Sequence, residues 1–173
     1  MGLIGLIAEI CVICCLIGGI ISNCYVVASC DMLRLVRNDG EIGPWRADIR
    51  GVTNGCESWS KSDTEDSLIK MGRATSMMAL CFGFIYVVVF LWKQCCCKLP
   101  FASCLLNTCG TCATLSLALV WPMIRSDTCK RYGCNWGGGA TALVFTMIFY
   151  FAASIFACFM RPPRYERRQE RQS

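Results

Sequence analysis

Four stretches of this chain are long enough to cross a bilayer as helices, and they carry a single charge among them. They cover residues 2–28, 74–92, 99–124 and 137–160, and the one charge is Glu9. About 20 apolar residues in an α-helix cross the ~30 Å of hydrocarbon in a membrane. In lipid every backbone N–H and C=O must be satisfied within the protein, so isolated strands are excluded and helices remain. The composition agrees: 55% of the residues are hydrophobic, and the charges cluster between the stretches. The expected organisation is span one at 1–29, a loop at 30–70, span two at 71–92, a short loop at 93–98, span three at 99–124, a second loop at 125–136, span four at 137–160 and a basic tail at 161–173. Span one has no basic leader and too long an apolar run for a cleaved signal peptide, so it is expected to be retained.

Several function classes drop out on residue types. Histidine is absent, which removes the commonest general base and metal ligand. The net charge of +5 is gathered mostly in the tail and forms no basic stripe with interleaved aromatics, so no nucleic-acid partner is expected. Most of the sixteen cysteines fall inside apolar stretches, where a thiol behaves as a small hydrophobe. Cys11 with Cys14, and Cys109 with Cys112, have ligand-like spacing. A thiolate in hydrocarbon is disfavoured and the helix-three pair lacks a completing ligand, so packing is expected and a metal is not. No nucleophile–base pair, phosphate-binding glycine loop or carboxylate pair is evident. The chain is read as non-enzymatic and without a cofactor.

Orientation follows from the basic residues. The 93–98 loop carries two lysines in six residues, and the tail five arginines in thirteen. The first long loop has six basic residues offset by eight acidic ones. Basic density belongs on the cytoplasmic side. Both termini and the short loop are therefore expected in the cytoplasm of a multi-pass plasma-membrane protein, with loops 30–70 and 125–136 outside.

The first outer loop combines β-prone runs, among them Ile49 to Thr53, with turn signals at Asn38-Asp39-Gly40 and Asn54-Gly55. Such dipeptides supply the positive φ of tight hairpins, so a small sheet formed mainly by this loop is expected. Cys30, Cys56, Cys129 and Cys134 lie in or beside the outer loops, in an oxidising compartment. Four cysteines allow three connectivities. Cys129 and Cys134 are close enough in sequence to close a small ring, which would leave Cys30 with Cys56. Cys24 competes for Cys30, and Cys30 as a free thiol is the alternative.

The layout of a long first outer loop, a short inner loop, a short second outer loop and a basic tail resembles the claudin-like superfamily, which includes claudins, the peripheral myelin and epithelial membrane proteins, and auxiliary gamma subunits of calcium channels and glutamate receptors. Gly43-Pro44-Trp45 is similar to part of that family's first-loop signature, Met71-Gly72-Arg73-Ala74 to its start of helix two with Arg73 at the key position, and Trp136-Gly137-Gly138-Gly139-Ala140 to its glycine-rich start of helix four. The chain departs from the pattern with Cys56 as the lone mid-loop cysteine and Thr53 where the family has tryptophan. The resemblance implies an all-α membrane protein, a left-handed four-helix bundle topped by a small extracellular β-sheet.

Glu9, as an intramembrane charge, is a candidate for a structural or snorkelling role at the interface, or for coordinating an ion or binding a partner. Cys95, Cys96 and Cys97, flanked by Lys93 and Lys98, are candidates for lipidation by S-palmitoylation. Asn107, Thr108, Thr111 and Thr114, among small residues, suit close packing and interhelical hydrogen bonds, with a polar pore lining as the sharper alternative. The tail suits anionic membrane lipid. The expected function is association at the cell surface or at a cell junction, lateral and face to face, with Trp45, Ile49, Val52 and Trp59 as extracellular contact candidates. The expected partner is a homo-oligomer or a larger membrane protein. The alternatives are an auxiliary subunit of an ion channel or receptor and, more weakly, an oligomeric channel.

Overall fold

The computed structural model describes residues 2–37, 39–48, 55–58, 66–95 and 102–160. The elements run α1 (Gly2–Ala28), β1 (Leu33–Leu35), β2 (Gly40–Ile42), β3 (Arg46–Asp48), β4 (Glu57–Ser58), α2 (Ser67–Cys95), α3 (Ala102–Ala118), a 3₁₀ helix (Trp121–Arg125), α4 (Asp127–Tyr132), β5 (Cys134–Trp136) and α5 (Gly138–Cys158). Four segments are long and apolar enough to cross a membrane: Leu3–Ala28, Ser67–Gln94, Ala102–Arg125 and Gly138–Cys158. Such a set fits a multi-pass membrane protein.

Two helix boundaries differ from the uncharged stretches, for identifiable reasons. α2 begins before Lys70 and Arg73 and runs past Lys93, because each charge lies near an end of the helix. Lys93 is buried, and its Nζ donates to Ser103 Oγ at 3.1 Å. In the third span the α-helix stops at Ala118. Pro122 has no N–H to donate to that carbonyl and its ring clashes with it, so the chain tightens into the 3₁₀ turn.

The long helices form a closed ring in the order α1, α2, α3, α5, each touching the next. Gly19 packs on Tyr150 and Asp31 on Gly138, so α1 and α5 are antiparallel. The N-terminal end of α1 and the C-terminal end of α5 therefore share one end of the bundle. The sheet occupies the other, called here the loop end. Buried positions recur every three or four residues, as Ala8, Val12, Leu16, Gly19, Asn23 and Val26 on α1 and Leu143, Thr146, Tyr150, Ala153 and Ala157 on α5. Lipid tails are as apolar as these side chains, so close packing and interhelical hydrogen bonds hold the ring. Tyr86 on α2 provides one such bond, its hydroxyl donating to the Ala153 carbonyl of α5 at 2.9 Å.

The sheet has five short antiparallel strands in the order β4-β3-β2-β1-β5. Four come from the first loop, as expected, and the fifth from the second. Asp39 (φ 42°) takes the left-handed conformation at the β1–β2 turn, and Gly55 (φ 114°) does so before β4. Leu33, Leu35, Ile42 and Ala47 point inward and join the same core as the helices, while Arg34 points out and Glu41 is half-buried. The sheet is thus an extension of the bundle core.

Candidate functional site: a stapled sheet on the loop end

The two outer strands of the sheet are fastened to helices by disulfides. Cys30, just past α1, is bonded to Cys56 beside β4, with Cα atoms 5.9 Å apart. Cys129 of α4 is bonded to Cys134 of β5, with Cα atoms 5.1 Å apart. These pairs match the expected connectivity, and Cys24 is free. Ser126 caps α4 by accepting the Cys129 N–H at 3.2 Å. Gly133 (φ 70°) ends that helix and donates its N–H to the Cys129 carbonyl at 2.8 Å. α4 and β5 are therefore the two arms of one small disulfide ring.

Two aspartates tie the loop end together. Asp31 accepts the Gly138 N–H on Oδ2 at 3.0 Å, and its carbonyl accepts the Gly139 N–H. It thus supplies acceptors at the start of α5, where backbone donors lack partners and negative charge is favoured. The glycines permit this approach. A Cβ on Gly137 would meet Asp31, and one on Gly139 would lie 2.9 Å from both the Asp31 carbonyl oxygen and Met32 Cα. Arg34 Nε donates to Asp31 Oδ1 at 3.1 Å and lies 3.5 Å from Glu41 Oε1. That hydrogen bond, with the two carboxylate charges, pushes the exposed Arg34 guanidinium above its ordinary pKa, so it stays charged. Asp66 accepts the Leu68 N–H on Oδ1 at 3.0 Å and the Asp127 N–H on Oδ2 at 2.7 Å. It joins the start of α2 to the start of α4.

Replacing Asp31 with alanine is expected to lower stability by about 0.5–2 kcal/mol, the range for losing a side-chain cap at a helix start. Denaturation in mixed micelles would measure this. An unchanged midpoint would remove Asp31 as the tie.

The sequence-selected residues divide as follows. Trp45 is held against α2. Its indole N–H donates to Ser76 Oγ at 3.3 Å, and the Arg73 guanidinium lies 5.8 Å from the ring centre. Arg73 Nε also donates to the Pro44 carbonyl at 2.7 Å. One Trp45 face stays accessible, at 37% exposure. Ile49, Val52 and Trp59 lie outside the described residues, as do Cys96, Cys97 and the side chain of Cys95. Glu9 is half-buried on α1 and makes no ion pair among the described residues.

From the sequence Trp136 is marked only as the start of helix four, and Val36 is not marked at all. Trp136 is 63% exposed on β5 and lies tilted at 43° against Trp121, with ring centres 4.9 Å apart; Val36 is 59% exposed after β1. A three-residue strand carries too little periodicity to be recognised, and β5 shows itself only through its pairing with β1. Both outer strands of the sheet, β4 and β5, keep one unpaired edge among the described residues. Neither protein-family models nor curated proteins yield a match to this chain.

Proposed function

We propose that this chain is a non-enzymatic cell-surface protein that acts by association, side to side in its own membrane and face to face through its sheet. The observation that carries the reading is a sheet with two edges unpaired among the described residues, stapled by two disulfides and built on the end of an apolar bundle. Disulfides persist in oxidising compartments, which supports placing the loop end outside the cell and both termini in the cytoplasm. The basic tail and the short 93–98 loop then fall on the cytoplasmic side, as the positive-inside rule requires. Unpaired strand edges recruit further strands, and exposed Trp136, Val36 and the open face of Trp45 supply apolar contact beside them.

Four long apolar helices with a small antiparallel sheet at one end are elements that the claudin-like resemblance implies, and that likeness supports a junctional role. The test uses two differently labelled vesicle populations carrying the full chain with the sheet outward. They are expected to cluster, and Trp136→Ser is expected to reduce clustering several-fold without changing insertion. Vesicles that stay dispersed at every protein density would overturn the face-to-face reading. Stoichiometric copurification with a large channel would replace it with the auxiliary-subunit alternative.

A further inference from the structure

Polar side chains buried among the helices mostly close their hydrogen bonds at home. The hydroxyls of Thr75, Ser76, Thr146 and Ser154 donate to carbonyls about one turn back on their own helices. Asn23 on α1 and Tyr150 on α5 do not. Both are wholly buried, at 0% exposure. Asn23 Nδ2, Asn23 Oδ1 and the Tyr150 hydroxyl all lack a partner in hydrogen-bond geometry among the described residues. An amide left in that condition inside an apolar bundle is costly.

The unmet groups lie together. Gly19 of α1 packs on the Tyr150 ring, and a Cβ there would lie 3.3 Å from Tyr150 Cε1. Asn23 is one turn further along α1, and its carboxamide neighbours the Tyr150 hydroxyl. With Gly19 set against Tyr150 in an antiparallel pair, Asn23 falls level with Thr146. Helix side chains lean toward the N-terminus of their own helix, so the Tyr150 ring leans toward that level too. On the α2 side, a Cβ at Gly83 would meet the Tyr150 hydroxyl, so this glycine makes room for the phenol.

A direct bond between the two side chains would not finish the group. If the phenol donates to Oδ1, both Nδ2 hydrogens stay unmet. If it accepts from Nδ2, Oδ1 and the phenol proton stay unmet. A water molecule both donates and accepts, so it can serve both ends at once. Thr146 adds an acceptor, because its own proton is already given to the Ala142 carbonyl at 2.7 Å. About three such bonds are usual for an internal water. An ion suits the place poorly. The nearest charges on α1 and α2 are Glu9, fourteen residues from Asn23, and Arg73 and Lys93, each ten residues from Gly83; α5 carries none. These are about 15 Å or more away along the helix axes. Complete burial of all three side chains leaves no entry for a larger solute. We infer that Asn23, Tyr150 and Thr146 bind one internal water molecule at the junction of α1, α2 and α5, in the half of the bundle nearer the sheet. The site does not depend on the proposed function.

The full chain in phosphatidylcholine bilayers, with ¹⁵N-labelled asparagine and ¹³C-labelled valine and leucine methyls, tests this. Solid-state NMR would follow magnetisation passing from water protons to the Asn23 side-chain amide, a signal assigned by its loss in Asn23→Leu. Transfer is expected at Asn23 and not at the equally buried methyls of Val26 and Leu143. Tyr150→Phe keeps the ring and removes one partner, so it should reduce the transfer several-fold. Retained intramolecular disulfides would show that this variant is folded. No transfer at Asn23, as a purely direct contact with Tyr150 would give, would overturn the site. So would transfer undiminished in Tyr150→Phe. Equal transfer to Asn23 and to both methyls would overturn it as well, by showing a wet channel in place of one bound molecule.

Discussion

Replacing Cys30 and Cys56 together with serine is expected to lower the unfolding free energy by about 3.5 kcal/mol, from the chain-entropy cost of releasing a loop with a sequence separation of 26. The same reasoning gives about 2 kcal/mol for Cys129 with Cys134, whose separation is 5. The functional consequences should be ordered likewise. The first bond is the covalent tie between β4 and the end of α1, so its loss should fray the sheet from β4 inward. The second closes a ring already held by the Ser126 cap and by the pairing of β5 with β1. Denaturation in mixed micelles, with and without reductant, measures both. Equal losses for the two pairs, or none for the first, would show that the sheet does not depend on the staple.

The second large effect lies inside the bundle. Gly110→Leu is expected to cost about 3 kcal/mol, the upper part of the range for overpacking a close contact. A Cβ at Gly110 would meet the Ser154 side chain, would lie 3.1 Å from Tyr86 Cε2, and would lie 3.2 Å from the Tyr150 carbonyl oxygen. None of these yields easily. The Ser154 hydroxyl is committed to that carbonyl at 2.9 Å, and the Tyr86 ring is fixed by its bond to Ala153. α3 would have to move away from α2 and α5 together. On the other side of the same helix, Leu115→Ala should change stability little, because Leu115 is 60% exposed and lies outside the bundle core. A Gly110→Leu chain as stable as its parent would mean that these helices do not pack at this distance.

The spans were legible because a charge has no comfortable place in hydrocarbon, and runs without one are easily seen. The same criterion misplaced the ends of α2, where Lys70, Arg73 and Lys93 lie on the helix close to its polar ends. Both disulfides were legible because only four cysteines lie in or beside the sheet-bearing loops. β5 and α4 were not, being three and six residues long. The polar set on α3 was seen, but its direction was not. The buried side of that helix also carries small and polar residues, such as Cys109, Gly110 and Ser116. Periodicity alone could not tell which side faces the bundle. The ties of Asp31 to Gly138 and of Asp66 to Asp127 join residues far apart in sequence, and no local pattern marks them; Arg73 was marked by its motif, but its bond to Pro44 was not.

The proposed topology places the stapled end of the bundle and its two termini on opposite sides of a membrane. The most direct measurement uses intact cells expressing the full chain with a tag at each end. After mild reduction, a membrane-impermeant maleimide should label Cys56 and Cys134 from outside, and both tags should be reached only after permeabilisation. One tag reached in intact cells while the other is not, or both reached while the cysteines are shielded, would contradict it.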